Sequence, residues 1–206
     1  AVMAFWGAPV AFGDHASRAV ASALLMQASA ARLNQQFCAR GWPALRIGIG
    51  INTGPMHVGD MGSRIRRAYT VMGDSVNLAA RLEGASKLYG VGIVVGEATR
   101  AAAPDFLYRE LDRIRVLGKQ EAVAIFEPRC LLAGAAAAEL AQLERWHAVL
   151  DRLRARDWAQ AGAQLARLQA DFPGDGLYRL YAARLEQYRN APPPWDWDGV
   201  TALHSK

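Results

Sequence analysis

Cysteine is scarce in this chain. The 206 residues hold two, Cys38 and Cys130, too few and too far apart for a disulfide framework or a cysteine metal site; both read as packing residues of a reducing compartment. Long hydrophobic runs are missing as well. The most apolar helical stretch, residues 19–31, is alanine-rich, carries Gln27 and two serines, and falls short of the roughly 20 residues that span a bilayer. No basic region precedes the apolar start, so a signal peptide is not expected. The phosphate loops G-x-x-x-x-G-K-[ST] and G-x-G-x-x-G do not occur. His57 has no partner at metal or base spacing and reads as structural.

What is present is a globular mixture. With 52% hydrophobic and 21% charged residues, disorder is not the default, and the length allows one domain of ordinary size plus an appendage. The net charge of +5 comes mainly from arginine and is compatible with an anionic partner. Its densest cluster, Arg64, Arg66 and Arg67, follows Gly62-Ser63 and lacks interleaved aromatics, so an exposed loop is expected there rather than a nucleic-acid surface.

Periodicity places the elements. Residues 1–6 form a β-like apolar run that stops at Gly7-Ala8-Pro9. Asp14 is expected to cap a helix running to about residue 40, with Ala16, Val20, Ala23, Leu24, Met26, Ala30 and Leu33 as core positions. Residues 45–53 alternate, Ile47, Ile49 and Ile51 on one side and Gly48 and Gly50 on the other. The glycines admit a close approach, read from the residues as tight packing beneath a helix. Asn52-Thr53-Gly54-Pro55 turns the chain, residues 56–59 are expected to pair back, and residues 60–67 read as a loop. Strands follow at residues 92–95, 107–116 and, last, 122–127, with a short helix at 97–102. Strands separated by helices predict a layered α+β sheet.

The stretch Tyr69-Thr70-Val71-Met72-Gly73-Asp74-Ser75-Val76-Asn77-Leu78-Ala79-Ala80-Arg81-Leu82-Glu83 organises the chain: a strand breaks at a glycine and a helix starts at once. Asp74 is expected as its N-cap, its charge suiting the positive end of the helix dipole. Leu78, Leu82, Ala85 and Tyr89 form the buried stripe; Asn77 and Arg81, four apart, share a neighbouring face. That face reads as a solvated polar surface or as a catalytic one.

The run Y-T-V-M-G-D-S-V-N-L-A-A-R-L-E-G resembles the signature of class III nucleotidyl cyclases, and the resemblance covers residues 1 to about 128. It implies a ferredoxin-like α+β sheet, adenylate cyclase activity on ATP, two Mg2+ or Mn2+ ions, and a site shared by two protomers of a head-to-tail homodimer. Asn77 is then expected to orient the ribose 3′-hydroxyl and Arg81 to bind the triphosphate, for which a planar, permanently charged guanidinium is suited. Thr70, seven residues before Asn77, falls at a purine-reading position; it is an adenine contact or merely a β-branched strand residue. Where the family often has lysine, glycine, lysine, this chain has Leu117-Gly118-Lys119, which leaves Lys119 as a substitute phosphate contact. The family's metal-binding aspartates, first strand, phosphate loop and purine-reading lysine are expected ahead of residue 1, so the chain reads as N-terminally truncated, with no metal ligand of its own and inactive alone. The G-G-[DE]-E-F motif of the related cyclic-dinucleotide synthases does not occur.

Residues 131–190 follow as a helical extension, with periodic stretches around Leu140 to Leu153, 158–172 and 177–188, loosely similar to one tetratricopeptide unit plus a capping helix and expected to pack on the cyclase part or on a partner. Residues 191–206 read as a stiff Pro/Trp-rich tail, similar to those of bacterial cyclases with an extracellular CHASE2 sensor. By that resemblance the chain is the cytoplasmic part of a bacterial protein anchored to the membrane through a preceding segment. A reading of another class, a non-catalytic module that binds nucleotide or a partner through a cyclase-like surface, stands beside the enzyme.

Overall fold

The computed structural model describes residues 2–62, 67–116 and 121–203. Helix α1 (His15–Ala39) leads to strand β1 (Ile49–Ile51), a hairpin of β2 (His57–Gly62) and β3 (Arg67–Met72), and helix α2 (Asp74–Tyr89). Strand β4 (Ile93–Gly96), the short helix α3 (Glu97–Ala102), and the long pair β5 (Phe106–Val116) and β6 (Ala122–Leu131) complete the α+β part. Three helices, α4 (Ala137–Arg154), α5 (Trp158–Asp171) and α6 (Gly176–Asn190), precede a final strand β7 (Thr201–Leu203).

The main sheet runs β1-β4-β6-β5-β7 and is mixed. β1 pairs parallel with β4, β6 lies antiparallel between β4 and β5, and β7 adds parallel to β5. β4 is buried at every position, as a central strand covered on both faces should be. The apolar residues Ala16, Val20 and Ala23 of α1 close one face over Ile93, Val95, Phe106 and Phe126. On the other, Leu78, Leu82 and Tyr89 of α2 share a core with Leu111, Ile114 and Ile125 of the sheet and Trp146, Tyr178 and Tyr181 of the helical segment. The C-terminal helices therefore complete the same core as the sheet.

Several expectations change. Residues 2–6 form no strand, because no ladder partner lies beside them among the described residues. Residues 56–59 do not pair back on β1: β2 runs on to Gly62 and pairs in register with β3, His57 opposite Met72 and Gly59 opposite Thr70. His57 is exposed on that hairpin. The strand expected at 122–127 is present in β6 but is not the last: β7 follows, in what reads from sequence as a stiff Pro/Trp-rich tail. In α1 the core positions stop at Leu24, which is partly buried against the cluster of Ala16, Val20 and Ala23; Met26 is 49% exposed and Leu33 37%, since the three-residue β1 offers no sheet beneath the second half of so long a helix. Cys38, on that same half, is exposed rather than packed in the core, while Cys130 is partly buried. Asp14 stands at the start of α1, but its carboxylate takes the Arg18 side chain at 2.8 Å rather than a helix amide.

Candidate functional site

The site is built on the β3–turn–α2 unit. Gly73 ends the strand with φ near 147°, a backbone open to glycine and strained for other residues, and its carbonyl accepts the amides of Val76 and Asn77. Gly73 is thus the cap residue. Asp74 is the first residue of the helix and makes no side-chain cap, which corrects its expected N-cap role; its charge still lies in the first turn, where the dipole favours it.

The helix is seated closely. Leu78, Leu82, Ala85 and Tyr89 are buried as the stripe predicts. Beneath them Gly50 of β1 lies so near that a Cβ there would come within 2.1 Å of the Ala79 carbonyl oxygen and 2.2 Å of the Glu83 nitrogen. The glycines of residues 45–53 therefore serve tight packing under α2. At the other end of β1, the Asn52 amide donates to the Ser75 carbonyl at 3.2 Å and so fixes the first turn of the helix. The Thr53 and Thr99 hydroxyls are 3.0 Å apart and tie that strand end to α3. Asn52 reads from sequence only as a turn residue, because its partner is 23 positions away.

On this seat Asn77 and Arg81 both face solvent, one helical turn apart. That rise is about 6 Å, the scale of a ribose with its first phosphate. Thr70 is partly buried on β3, three residues ahead of the glycine turn. Thr70, Asn77 and Arg81 thus sit on one continuous strand–turn–helix unit. Lys119 lies outside the described residues, as do Arg64 and Arg66.

A divalent metal does not fit what is present. Among the described residues no group of three or more His, Cys, Asp or Glu is placed to hold an ion, and Asp60 and Asp74 are exposed on separate elements. No described helix is long and apolar enough to cross a membrane.

Comparison with known proteins shows the family of the chain. The profile described as "Adenylate and Guanylate cyclase catalytic domain" matches residues 1–126. Adenylate cyclase 1 of Rhizobium meliloti is 39% identical over 127 residues, 61% of this chain but 19% of that protein, so the chain spans about a fifth of this curated relative. Among solved structures, the adenylyl cyclase CyaB from P. aeruginosa superposes with a TM-score of 0.57 at 32% identity, covering 64% of this chain and 68% of that one. A guanylyl cyclase superposes with a TM-score of 0.55 at 35% identity, covering 61% and 63%.

Proposed function

Because the chain belongs to the family of adenylate and guanylate cyclase catalytic domains, we propose that it supplies the nucleotide-reading half of an adenylate cyclase that converts ATP to cyclic AMP and pyrophosphate. The observation that carries this reading is the pairing of Asn77 and Arg81 on the exposed face of a helix whose other face is locked to the sheet.

In the reaction the ribose 3′-oxygen attacks the α-phosphorus, its proton leaves, and the bond to the oxygen bridging to the β-phosphate breaks, so pyrophosphate departs. Asn77 carries both a donor and an acceptor, which lets it hold a ribose oxygen and set the line of attack. Arg81 presents a permanent charge and paired donors to oxygens whose charge grows as phosphorus becomes five-coordinate. Thr70 reads the adenine edge and Lys119 contacts the phosphates. The metal-binding carboxylates come from outside the described residues, in a head-to-tail homodimer, and the chain alone is inactive. Both adenylyl and guanylyl cyclases are similar to this chain; in this reading the choice of base falls to Thr70 and its surroundings.

A second reading is a cyclase-like module that binds nucleotide or a partner through the same surface without turning nucleotide over. Cyclic AMP formation from ATP by the native full-length protein separates the two. Turnover that Asn77→Ala abolishes supports the enzyme. Nucleotide binding without turnover refutes it and supports the module.

A further inference from the structure

The substrate helix α2 is fastened at its far end to the C-terminal helices. Tyr89, the last residue of the helix, is fully buried, and its hydroxyl donates to Oδ2 of Asp112 on β5 at 2.7 Å. The same oxygen accepts from Nη1 of Arg184 on α6 at 2.6 Å, while Oδ1 takes the Arg113 amide at 2.8 Å. The Arg184 guanidinium lies over the Tyr181 ring at 4.8 Å and the Tyr89 ring at 5.5 Å. Tyr181 in turn donates to the Leu111 carbonyl at 2.6 Å. One carboxylate, 4% exposed, thus joins the substrate helix, the sheet and the C-terminal helix.

A second contact lies beside it. Gly90, which ends α2 in the left-handed region at φ 67°, touches Gly176 at the start of α6 so closely that a Cβ on either would come within 3.0 Å of the other's Cα. The charges are stable in place. Burial is the largest influence on Arg184 and opposes its ionisation, but the Asp112 carboxylate together with Tyr181 and Tyr89 outweighs it, so its pKa is raised; burial, then Asp112, raises that of Tyr89, which stays a neutral donor. Removing one partner of such a buried pair leaves the other charge uncompensated.

An α-helix is stiff, and the eight residues from Tyr89 back to Arg81 cover only about 12 Å. A shift at the anchored end therefore arrives at the site almost undiminished. We propose that Arg184 is a positioning residue: through Asp112 and Tyr89 it sets the seat of α2 and hence of Asn77 and Arg81, which makes the C-terminal helices a working part of the catalytic unit. The kinetic consequence rests on the reading of Asn77 and Arg81 given above, while the structural one does not.

The test compares the native full-length protein with Arg184→Met, Tyr89→Phe, Arg184→Lys and a control, Arg145→Met, which breaks the exposed Arg145–Asp171 pair between α4 and α5 without touching α2. In hydrogen exchange, Arg184→Met and Tyr89→Phe speed the α2 amides about tenfold, β4 and β6 change by less than about twofold, and the control changes neither. With ATP, kcat falls by about tenfold to hundredfold at nearly constant KM, since roughly 1 Å of misplacement is enough for that, and Arg184→Lys recovers part of it. If Arg184→Met does not fold, Tyr89→Phe, which removes one oxygen, decides alone. Unchanged exchange in α2, or equal acceleration in every element, overturns the proposal and leaves the role of Asn77 and Arg81 standing. A wild-type protein without turnover sinks that role instead, and the exchange pattern still decides whether Arg184 holds α2.

Discussion

Gly50→Ala is the smallest change that should move α2. The added methyl meets the Ala79 carbonyl oxygen at 2.1 Å and the Glu83 nitrogen at 2.2 Å, both backbone atoms of α2 that cannot swing aside as a side chain can. Ordinary contact needs about 3.5 Å, so the helix must back off by more than an ångström or β1 must yield. β1 has little room to yield, because it pairs with β4 from Ile49 to Ile51 and Asn52 beyond it holds Ser75. Overpacking of this kind costs about 1–3 kcal/mol, which in a protein of this size lowers Tm by about 2–12 °C. The functional loss should be larger than the stability loss, since Asn77 and Arg81 move with the helix and a displacement of about 1 Å can remove a hundredfold in rate. Thermal unfolding followed by circular dichroism gives the first quantity, and initial rates of cyclic AMP formation at a temperature where the variant remains folded give the second. A variant with wild-type Tm and wild-type turnover would refute the claim that α2 is seated on Gly50.

Two further outcomes follow from the helical segment. Asp175 caps α6 by accepting the Leu177 and Tyr178 amides, and it also pairs at 2.5 Å with Arg109, whose side chain is 3% exposed. Asp175→Ala should cost about 3 kcal/mol in denaturant unfolding, against less than about 1 kcal/mol for Asp171→Ala at the exposed Arg145 pair; equal losses would contradict the buried clasp. His147 accepts the Glu110 amide through Nε2 at 3.3 Å, and burial lowers its pKa against the opposing pull of Glu110 and Asp151. A histidine with a lowered folded pKa binds fewer protons folded than unfolded, so its contribution is present above about pH 6.5 and is lost as the pH falls through the folded pKa. Melting should therefore drop in that window, and His147→Gln should flatten the profile; the same slope in both proteins would exclude His147.

Much of the site was legible because it is local. The strand, the break at Gly73 and the helix that presents Asn77 and Arg81 lie within a score of residues, and the period of Leu78, Leu82, Ala85 and Tyr89 names the buried face directly. Its exact start is not legible, because glycine and aspartate both suit a helix entry and only the backbone angle at Gly73 decides between them. Contacts between distant residues left no such trace. Asp112 meets Tyr89 across 23 positions and Arg184 across 72, and none of the three stands in a recognisable motif. Likewise β7 is three residues long, too short for a period, and becomes a strand only because β5 offers it an edge. The outer half of α1 shows the converse: Met26 and Leu33 recur at core spacing, yet spacing alone does not say whether anything lies beneath.

The central claim is that Arg81 works on the reacting phosphate rather than on a solvated surface. Its most direct test is steady-state turnover of ATP by the native full-length protein and its Arg81→Ala form, with ATP binding measured alongside. The account predicts that kcat falls about hundredfold while binding weakens far less, because the charge that Arg81 meets grows in the transition state. Full turnover in Arg81→Ala would contradict it.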